Sequence, residues 1–457
     1  GIMSQILEAI KNHPASNAAL ISGSRTLSYG DMVMRINHYM NSLQGVESLA
    51  VHLDNGIEWI LWDLAALQSS TPCVPIPDFF HADQVSHIMA TAGVSHLVDS
   101  DGIRQINKQD KEQQPVRNLP PGTAKITFTS GTTGTPKGVC LSRTGIETLA
   151  FSIQKSLDNK FATRHAVILP LAILLGNIAG VYPTLIAGGT IFIPPLSEIG
   201  LRNPFTPDLK QLTSYLRAQK ITSVITVPEL LRGLLSIRAA LPDMKFMAVG
   251  GAKVAPELIA AAREAGLPAY EGYGLSEAAS VVALNTPLYD KPGSVGKVLE
   301  HIIIKIENGE ICIKNDAFLG YLGQTSGDWF RTGDLGFIDN DGYLHISGRK
   351  KNIIVTSHGR NVSPEWVEST LLAQPGIAQA IVYGDGESTI RALVVPSHPN
   401  ADIQQSILNA NLSLPEYAQI KAYQLTQPFS ATQGTLTANG RPKREHIIKK
   451  QLTLESI

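Results

Sequence analysis

The chain has 457 residues, too many for one small hydrophobic core, and this length predicts two or three domains. Its 43% hydrophobic and 17% charged residues are the composition of an ordinary globular protein. The formal net charge of −1 provides no electrostatic basis for binding nucleic acid, so we expect no nucleic acid partner.

The cysteines indicate a reducing compartment. Cys73, Cys140 and Cys312 are widely separated and lack the spacing of metal ligands. We expect three buried thiols in the cytoplasm. No signal-peptide pattern follows Gly1–Met3, and this also predicts a cytoplasmic protein.

Apolar runs alternate with helical patterns along the first hundred residues. This alternation predicts strands at Ser48–His52, Cys73–Ile76 and Ser95–Val98, with a helix at Gly56–Gln68. The polar stretch Asp99–Pro121 then predicts a surface connection.

The next segment is a polar, glycine-rich loop. Thr129–Gly138 lies between two apolar runs, Ala124–Phe128 and Val139–Leu141, which predict strands. Glycines let backbone N–H groups approach anionic oxygens closely, hydroxyls donate further hydrogen bonds, and Lys137 adds a positive charge. A triphosphate suits such a loop, although Lys137 follows Pro136 and the Walker A pattern is absent. The residues expected to bind the phosphates are Thr129, Ser130, Gly131, Thr132, Thr133, Gly134 and Lys137.

The run Ala166–Leu196 contains no charged residue and is long enough to cross a bilayer. Prolines and glycines interrupt it, however, and favour a buried α/β segment without stable membrane insertion. The pattern predicts a strand at Ala166–Leu169, a helix near Asn177–Ala187 and a strand at Thr190–Ile193.

The alternation of strands and helices then resumes. Strands are predicted at Ile221–Thr226, Phe246–Val249 and Ala269–Tyr270, and helices at Pro228–Leu241 and Pro256–Glu264. Such alternation is typical of parallel sheets covered by helices.

Candidate ligand-binding residues follow the last of these strands. In Tyr273–Glu277, Tyr273 offers a ring for an adenine face, and Glu277 offers a carboxylate for the magnesium that accompanies ATP. Strand carboxyl ends are where α/β sheets bind ligands. Farther along, Asp334 offers two oxygens that can accept hydrogen bonds from a ribose diol.

Beyond residue 292 the pattern becomes antiparallel. His301–Ile306 and Glu310–Lys314 alternate apolar and polar residues across Asn308-Gly309, a strong hairpin turn. Phe337–Ile338 and Tyr343–Ile346 repeat this pattern. We expect a small antiparallel barrel over residues 292–348.

A basic run, Gly348–Lys351, is expected to mark a domain boundary. After it, Ser363 and Pro364 are the N-cap and first residue of a predicted helix, and strands are predicted at Ala380–Tyr383 and Ile390–Val395. The predicted domains are therefore residues 1–348 and 349–457.

These motifs together resemble those of the adenylate-forming superfamily, which includes acyl-CoA synthetases, luciferases and the adenylation domains of peptide synthetases. The resemblance covers about residues 20 to 450, and the pattern is closest to fatty acyl-CoA synthetases. It implies an α/β fold with a large N-terminal domain of helix-covered, mostly parallel sheets and a small antiparallel barrel. A small mobile α+β C-terminal domain is implied to rotate over it.

The resemblance also implies site residues. Ser276 stands where relatives usually have threonine, Glu277 is the implied magnesium ligand, and Lys351 is the implied hinge of the rotation. The implied nucleotide contacts outside the phosphate loop are Gly250, Gly251, Ala252, Tyr273, Gly274, Ser276, Asp334 and Arg349.

The C-terminal loop departs from the family pattern. Thr435–Arg444 resembles the loop whose lysine contacts the substrate carboxylate and phosphate, but Arg441 stands at the position of that lysine. Arginine keeps the charge in a planar fork rather than a compact ammonium. Either Arg441 takes the catalytic role, or a local shift brings Lys443 into the site.

The expected acyl pocket is apolar. Ile173 stands where many relatives have an aromatic residue or histidine, and Leu174 and Asn177 are its expected neighbours in the pocket. No charged anchor is evident, which argues against an amino-acid substrate, whose ammonium group would need a buried carboxylate. A medium- or long-chain fatty acid is the expected substrate.

The expected enzyme is an AMP-forming acyl-CoA synthetase that uses ATP, Mg²⁺ and coenzyme A. It would convert a carboxylic acid to an acyl adenylate, release pyrophosphate and transfer the acyl group to CoA. Two alternatives stay open: a ligase that loads the phosphopantetheine of a carrier protein, and a nucleotide- or acyl-binding pseudoenzyme.

Overall fold

The structure, a computed structural model, describes residues 3–106, 119–129, 137–203, 206–324, 326–437 and 441–457. Two large sheets covered by helices are followed by a smaller antiparallel sheet and a C-terminal domain. The α/β fold class predicted from the sequence is confirmed.

The first sheet contains nine strands in the described ranges and is parallel through its centre. Antiparallel strands flank this centre on both sides. In spatial order the strands are Arg25–Ser28, Ala18–Ser22, Thr190–Phe192, Arg164–Ala166, Ser223–Thr226, Phe246–Val249, Ala269–Leu275, Ser280–Leu284 and Lys297–Val298.

The second sheet contains seven strands in the same ranges, again with a parallel centre. Its last strand comes from far along the chain and pairs antiparallel with the strand that follows the predicted phosphate loop. In spatial order the strands are Gly102–Gln105, His96–Asp99, Leu49–Val51, Cys73–Pro75, Thr123–Phe128, Gly138–Ser142 and Phe318–Tyr321.

Helices cover these sheets, and local sequence signals fix where several begin. The Ser28 hydroxyl accepts the Asp31 N–H at 3.1 Å, and the Ser142 hydroxyl accepts the Gly145 N–H at 3.0 Å, so each satisfies a donor of a first helical turn. The α-helices are Gln5–Lys11, Tyr29–Ser42, Ile57–Gln68, Ala82–Ala92, Arg143–Leu157, Tyr182–Ile186, Leu209–Ala218, Pro228–Ser236, Pro256–Glu264, Pro364–Leu372, Ile403–Leu412 and Arg444–Glu455. Short 3₁₀ helices are Leu196–Ile199, Ser276–Ala278, Lys350–Asn352 and Glu416–Ala418.

The charge-free run folds into the core rather than into one long helix. Its first strand ends at Ala166, earlier than predicted, and a π-helix, Leu175–Val181, precedes the helix Tyr182–Ile186. The strand Thr190–Phe192 then joins the first sheet. In the described parts of the chain, no helix has the length and apolarity needed to cross a membrane.

The third sheet is antiparallel, as predicted, with strands Ile303–Glu307, Glu310–Lys314, Phe330–Ile338 and Leu344–Arg349. The turn residues Asn308 and Gly309 both have positive φ, 52° and 79°, as a two-residue hairpin turn requires. In the described residues the first strand of this sheet is an edge, whereas its last strand continues toward the first sheet: the Leu344 N–H donates to the Gly296 carbonyl at 2.9 Å, and the Leu344 carbonyl accepts the Val295 N–H at 2.8 Å. The predicted antiparallel architecture is confirmed, and the closure of the barrel stays a prediction.

The C-terminal domain has its own sheet and its own buried cluster. The strands Ile377–Tyr383, Ile390–Pro396 and Ile420–Leu425 form the sheet, and side chains from Ile354 to Ile420 form the cluster beside it. The helix Pro364–Leu372 begins at the predicted proline, but the Ser363 hydroxyl makes no capping hydrogen bond within the described chain. The predicted α+β architecture of this region is confirmed.

A buried polar network joins the second sheet to the helices packed against it. Lys125 and Asp63 have side chains only 1% exposed and form an ion pair at 2.9 Å. Asn177 donates to Asp63 at 3.0 Å and accepts from Lys125, while the Tyr182 hydroxyl donates to Asp63. The structure therefore places Asn177 in this network, and it is not among the cavity-lining residues of the described chain, unlike the acyl-pocket position predicted for it.

We predict that Lys125→Met lowers the free energy of unfolding by about 3–5 kcal/mol, since it leaves the Asp63 carboxylate buried without its cation. Urea denaturation followed by circular dichroism measures the change. Lys155→Met is the control: Lys155 pairs with Glu300 at the surface, and we expect a change of about 0.5 kcal/mol or less. Equal effects of the two substitutions would contradict the prediction.

Candidate active site

Tyr273 connects the first sheet to the third. It lies on the strand Ala269–Leu275, and its hydroxyl donates to one oxygen of Asp334. The other oxygen of Asp334 accepts from Arg349 Nη1 at 2.7 Å, and the same nitrogen donates to the carbonyl of Thr332 at 2.9 Å. Burial and the adjacent Asp334 raise the pKa of Tyr273. Three residues predicted from separate motifs thus meet in one crevice.

A second group lies at the predicted phosphate loop. The Thr129 N–H donates to the Lys137 carbonyl at 3.1 Å, so the two ends of the loop meet. Lys137 Nζ lies 4.9 Å from the centre of the Tyr321 ring, and the Tyr321 hydroxyl donates to Glu277 at 2.8 Å. The structure therefore brings Lys137 and Glu277 to the same tyrosine. The predicted loop residues Ser130, Gly131, Thr132, Thr133 and Gly134 lie outside the described residues.

Sequence reasoning missed Tyr321. Its strand, Phe318–Tyr321, pairs with the strand after the loop and sets Tyr321 opposite Val139. Periodicity cannot reveal a pairing between segments so far apart in the chain. The one signal that the sequence offered was the aromatic residue itself. In the structure, burial and the adjacent Glu277 raise the pKa of the Tyr321 hydroxyl.

The glycine turn lies beside this crevice. Gly250 and Gly251 line the cavity described below, and Gly251 has a φ of +95°, which favours glycine. Ala252 is exposed and is not among the lining residues of the described chain. Behind the turn, buried Glu271 accepts the Val254 N–H at 2.9 Å, and burial raises the pKa of Glu271 to about 7.

One cavity leads from this crevice into the core. Tyr273, Gly274 and Ser276 line its mouth, and the predicted acyl residues Ile173 and Leu174 line its side. Its interior is mostly apolar. The interior residues include Ile153, Leu157, Ala162, Leu175, Ala179, Pro183, Ile225, Phe246, Val281 and Leu284.

Arg441 and Lys443 occupy different places. Arg441 lines the cavity although the residue as a whole stays exposed, and desolvation and the like charge of Arg349 lower its pKa. Lys443 is exposed, does not line the cavity, and donates its N–H to the Thr435 carbonyl at 2.9 Å. The structure therefore brings Arg441, and not Lys443, to the mouth.

The predicted hinge lies between the third sheet and the C-terminal domain. Lys351 is the middle residue of the 3₁₀ helix Lys350–Asn352. Just before and within this helix, Arg349 N–H and the Asn352 amide donate to the Glu365 carboxylate, both at 3.1 Å. Glu365 thus holds the backbone of Arg349 before Lys351 and the side chain of Asn352 after it.

Comparison with known proteins identifies the family. The family described as AMP-binding enzyme matches residues 6–322, and the AMP-binding enzyme C-terminal domain matches residues 351–451. The chain belongs to the AMP-binding enzyme family. The predicted class, an AMP-forming acyl-CoA synthetase, and the predicted cofactors ATP, Mg²⁺ and coenzyme A are confirmed at the level of this family.

Relatives of this AMP-binding enzyme are named for different acids. It is 30% identical to a long-chain-fatty-acid–CoA ligase, FadD15, of Mycobacterium bovis, over 86% of this chain and 84% of that protein. It is 27% identical to an oxalate–CoA ligase of Arabidopsis thaliana, over 84% and 85% of the two chains. Among solved structures, the o-succinylbenzoate coenzyme A synthetase MenE of Bacillus subtilis, in complex with ATP and magnesium ion, has a TM-score of 0.77 at 22% identity. That match covers 97% of this chain and 99% of MenE.

The residues of this AMP-binding enzyme fit a magnesium ion. Mg²⁺ prefers a few carboxylate oxygens together with substrate phosphates. Glu277 provides such a carboxylate beside the loop end that carries Lys137. In the described chain, no group of three or more histidine, cysteine or acidic residues could hold a metal ion.

We predict that Arg441→Ala lowers the rate of acid-dependent pyrophosphate release by about 100-fold or more, because it removes the cation at the cavity mouth. Lys443→Ala is the control and should stay within about threefold of the parent enzyme, since Lys443 lies outside the mouth. Arg441→Lys should recover part of the rate, because charge returns without the planar fork. A larger loss in Lys443→Ala than in Arg441→Ala would contradict the assignment.

Proposed function

We propose that this enzyme activates a medium- or long-chain fatty acid as an acyl adenylate and transfers the acyl group to coenzyme A. The single observation that supports this proposal is the cavity, which joins a cationic mouth beside Tyr273 and Arg441 to an apolar interior. A carboxylate fits the mouth and a hydrocarbon chain fits the interior. The name of the relative FadD15 agrees with this substrate, whereas oxalate and o-succinylbenzoate, named for other relatives, are dicarboxylic acids.

The span of the cavity bounds the length of the chain. Tyr273 and His165, at its two ends, lie on strands separated by three spacings of the first sheet, roughly 14 Å. An extended backbone advances roughly 3.5 Å for every three bonds, so this span corresponds to roughly twelve bonds of an alkyl chain. By this measure acids of up to about 12 carbons fit within the span, and acids of about 8 to 12 carbons occupy most of it.

The first step forms the adenylate. A carboxylate oxygen attacks the α-phosphorus of ATP, a new C(=O)O–P bond forms, and the bond to the pyrophosphate oxygen breaks. Arg441 reduces the repulsion between the two anions, and Lys137 holds the departing phosphates. Asp334 accepts the ribose hydroxyls, and Tyr273 packs against the adenine. Magnesium held by Glu277 supplies positive charge to the phosphates when bound.

The second step transfers the acyl group. The CoA thiol loses its proton to water, its sulfur attacks the acyl carbon, the thioester C–S bond forms, and AMP leaves with the electrons of the C–O bond. Arg441 occupies the mouth in the present arrangement, so a thiol needs the C-terminal domain, residues 349–457, to move. We assign the hinge to Lys351, because it is the middle residue of the 3₁₀ helix that connects the two parts. A cytoplasmic location stays a prediction from the sequence.

A screen of carboxylic acids tests the proposed substrate. We predict that pyrophosphate release, measured from acetate to palmitate and for aryl acids, is fastest for chains of about 8 to 12 carbons, since these fill the span from the mouth to His165. Mass spectrometry with CoA as the acceptor should then detect the acyl-CoA. A maximum rate of pyrophosphate release with acetate or with a dicarboxylic acid would contradict the proposal. Holo-carrier protein is tested beside CoA as the alternative acceptor.

We predict that Lys351→Pro retains pyrophosphate release within about threefold but lowers thioester formation by about tenfold or more. Proline fixes φ near −65° and so removes the backbone change that the rotation needs. Lys351→Ala is the control, because it removes the side chain and leaves the backbone free. The two half-reactions are measured separately by pyrophosphate assay and by acyl-CoA chromatography. If both steps survive in Lys351→Pro, the hinge lies elsewhere.

A further inference from the structure

The acyl cavity is not uniformly apolar. Ser280, the first residue of the strand Ser280–Leu284, lines it and is 6% exposed. Its hydroxyl oxygen is buried and has no hydrogen-bond partner among the described residues. A buried hydroxyl without a partner is costly, and most such groups in folded proteins are satisfied by protein, water or ligand. Ser280 therefore offers the cavity a hydroxyl group that is free to form a hydrogen bond.

The backbone places Ser280 near the mouth. Ser280 pairs with Leu275 across the antiparallel strands. Leu275 directly follows Gly274, and Gly274 lines the mouth of the cavity. A methyl group placed at Gly274 would lie 1.5 Å from the Ser280 carbonyl oxygen, so the two residues are in close contact. A bound acyl group would therefore meet Ser280 within the first few carbons after its carboxyl group.

The far end of the cavity contains a polar pair whose members are hydrogen-bonded to each other. His165 Nδ1 and the Ser223 hydroxyl are hydrogen-bonded at 2.8 Å across neighbouring strands, and both residues are buried. Gly180 of the π-helix lies against this pair, since a methyl group there would come within 2.8 Å of His165 Nε2. Burial lowers the pKa of His165 to about 4, so the ring is neutral at pH 7.

Charge is confined to the mouth. Among the lining residues that the structure describes, Arg441 is the one with a side chain charged at neutral pH. A second carboxylate or an ammonium group inside the cavity would be desolvated without a partner of opposite charge. A polar group on the acyl chain must therefore be uncharged.

We propose that the acyl group carries an uncharged hydrogen-bonding substituent, a hydroxyl or oxo group, close to its carboxyl end, and that Ser280 binds it. This inference rests on the proposed function and narrows its substrate class. A hydroxyl or oxo group at this position provides the partner that the Ser280 hydroxyl lacks. The same substituent near the far end of the chain would meet the closed His165–Ser223 pair and gain less.

The test compares octanoate with racemic 2-, 3- and 7-hydroxyoctanoate and with octanedioate in pyrophosphate release. In the parent enzyme we expect kcat/KM for 2- or 3-hydroxyoctanoate to exceed that for octanoate and for 7-hydroxyoctanoate by about fivefold or more. Octanedioate should be the poorest of the set. A preference for plain octanoate over all the hydroxy acids would overturn the inference while leaving the proposed function intact.

Ser280→Ala isolates the contact. It should fold normally, because the hydroxyl has no partner to lose, and it should reduce the preference for the 2- or 3-hydroxy acid to about one. Ser223→Ala, another serine of the same cavity, is the matched control and should leave that preference unchanged. If Ser280→Ala lowers kcat/KM equally for octanoate and its hydroxy acids, Ser280 acts on the common carboxyl end and the inference is wrong.

A binding measurement tests the role of Ser280 separately from the proposed enzyme activity. Calorimetric titration of octanoate and 3-hydroxyoctanoate in the presence of AMP reports the same preference without catalysis. If no acid releases pyrophosphate, the proposed function fails, and the ratio of the two dissociation constants in the parent enzyme and in Ser280→Ala still decides whether Ser280 binds the substituent.

Discussion

The chemistry proposed for the site depends on the positive charge that Arg441 brings to the mouth of the cavity. Desolvation, together with the like charge of Arg349, lowers the pKa of Arg441, and Arg349 is itself paired with Asp334. An anion between the two groups relieves their repulsion, and the desolvated surroundings strengthen that attraction. Because Arg441 belongs to the C-terminal domain and Asp334 to the third sheet, a bound anion also stabilises this arrangement of the two parts. In the proposed mechanism, nucleotide binding and domain position are therefore linked electrostatically through Arg441.

The same cavity is cationic at one end and neutral throughout its depth, and this gradient determines what it can bind. A carboxylate gains at the mouth from Arg441, whereas a second charge deeper in the cavity meets no side chain of opposite charge among the described lining residues. The π-helix contributes to this interior because its Gly180 leaves room for His165. The buried ion pair of Lys125 and Asp63 lies behind the same helix and holds it through Asn177. The buried Lys125–Asp63 ion pair thus helps to position the π-helix, which forms part of the apolar wall of the cavity.

The sequence predicted the parts of the fold that local chemistry determines. The strand Glu310–Lys314 and the turn Asn308-Gly309 are where the pattern placed them, because alternation and positive φ are properties of neighbouring residues. The structure places Asn177 outside the lining of the predicted acyl pocket, and Tyr321 was not predicted. Asn177 is fixed by Lys125, 52 residues away, and Tyr321 by a strand pairing across the chain. In the candidate site, the association of Tyr273, Asp334 and Arg349 followed from motif order, whereas the unpartnered Ser280 hydroxyl could be found only in three dimensions.

The choice between Arg441 and Lys443 also depends on long-range contacts. The Thr437 N–H donates to the Arg441 carbonyl at 2.8 Å, and the Lys443 N–H donates to the Thr435 carbonyl at 2.9 Å, so the register of this hairpin is fixed at two points. The next residue, Arg444, begins the last helix and binds both oxygens of Glu368, which is buried. Moving Lys443 to the place of Arg441 would break both backbone hydrogen bonds and draw Arg444 away from Glu368. Leaving that carboxylate buried without its cation would cost about 3–5 kcal/mol, more than a lysine in place of an arginine gains at the mouth. The hairpin register therefore favours Arg441 as the cation of the first step.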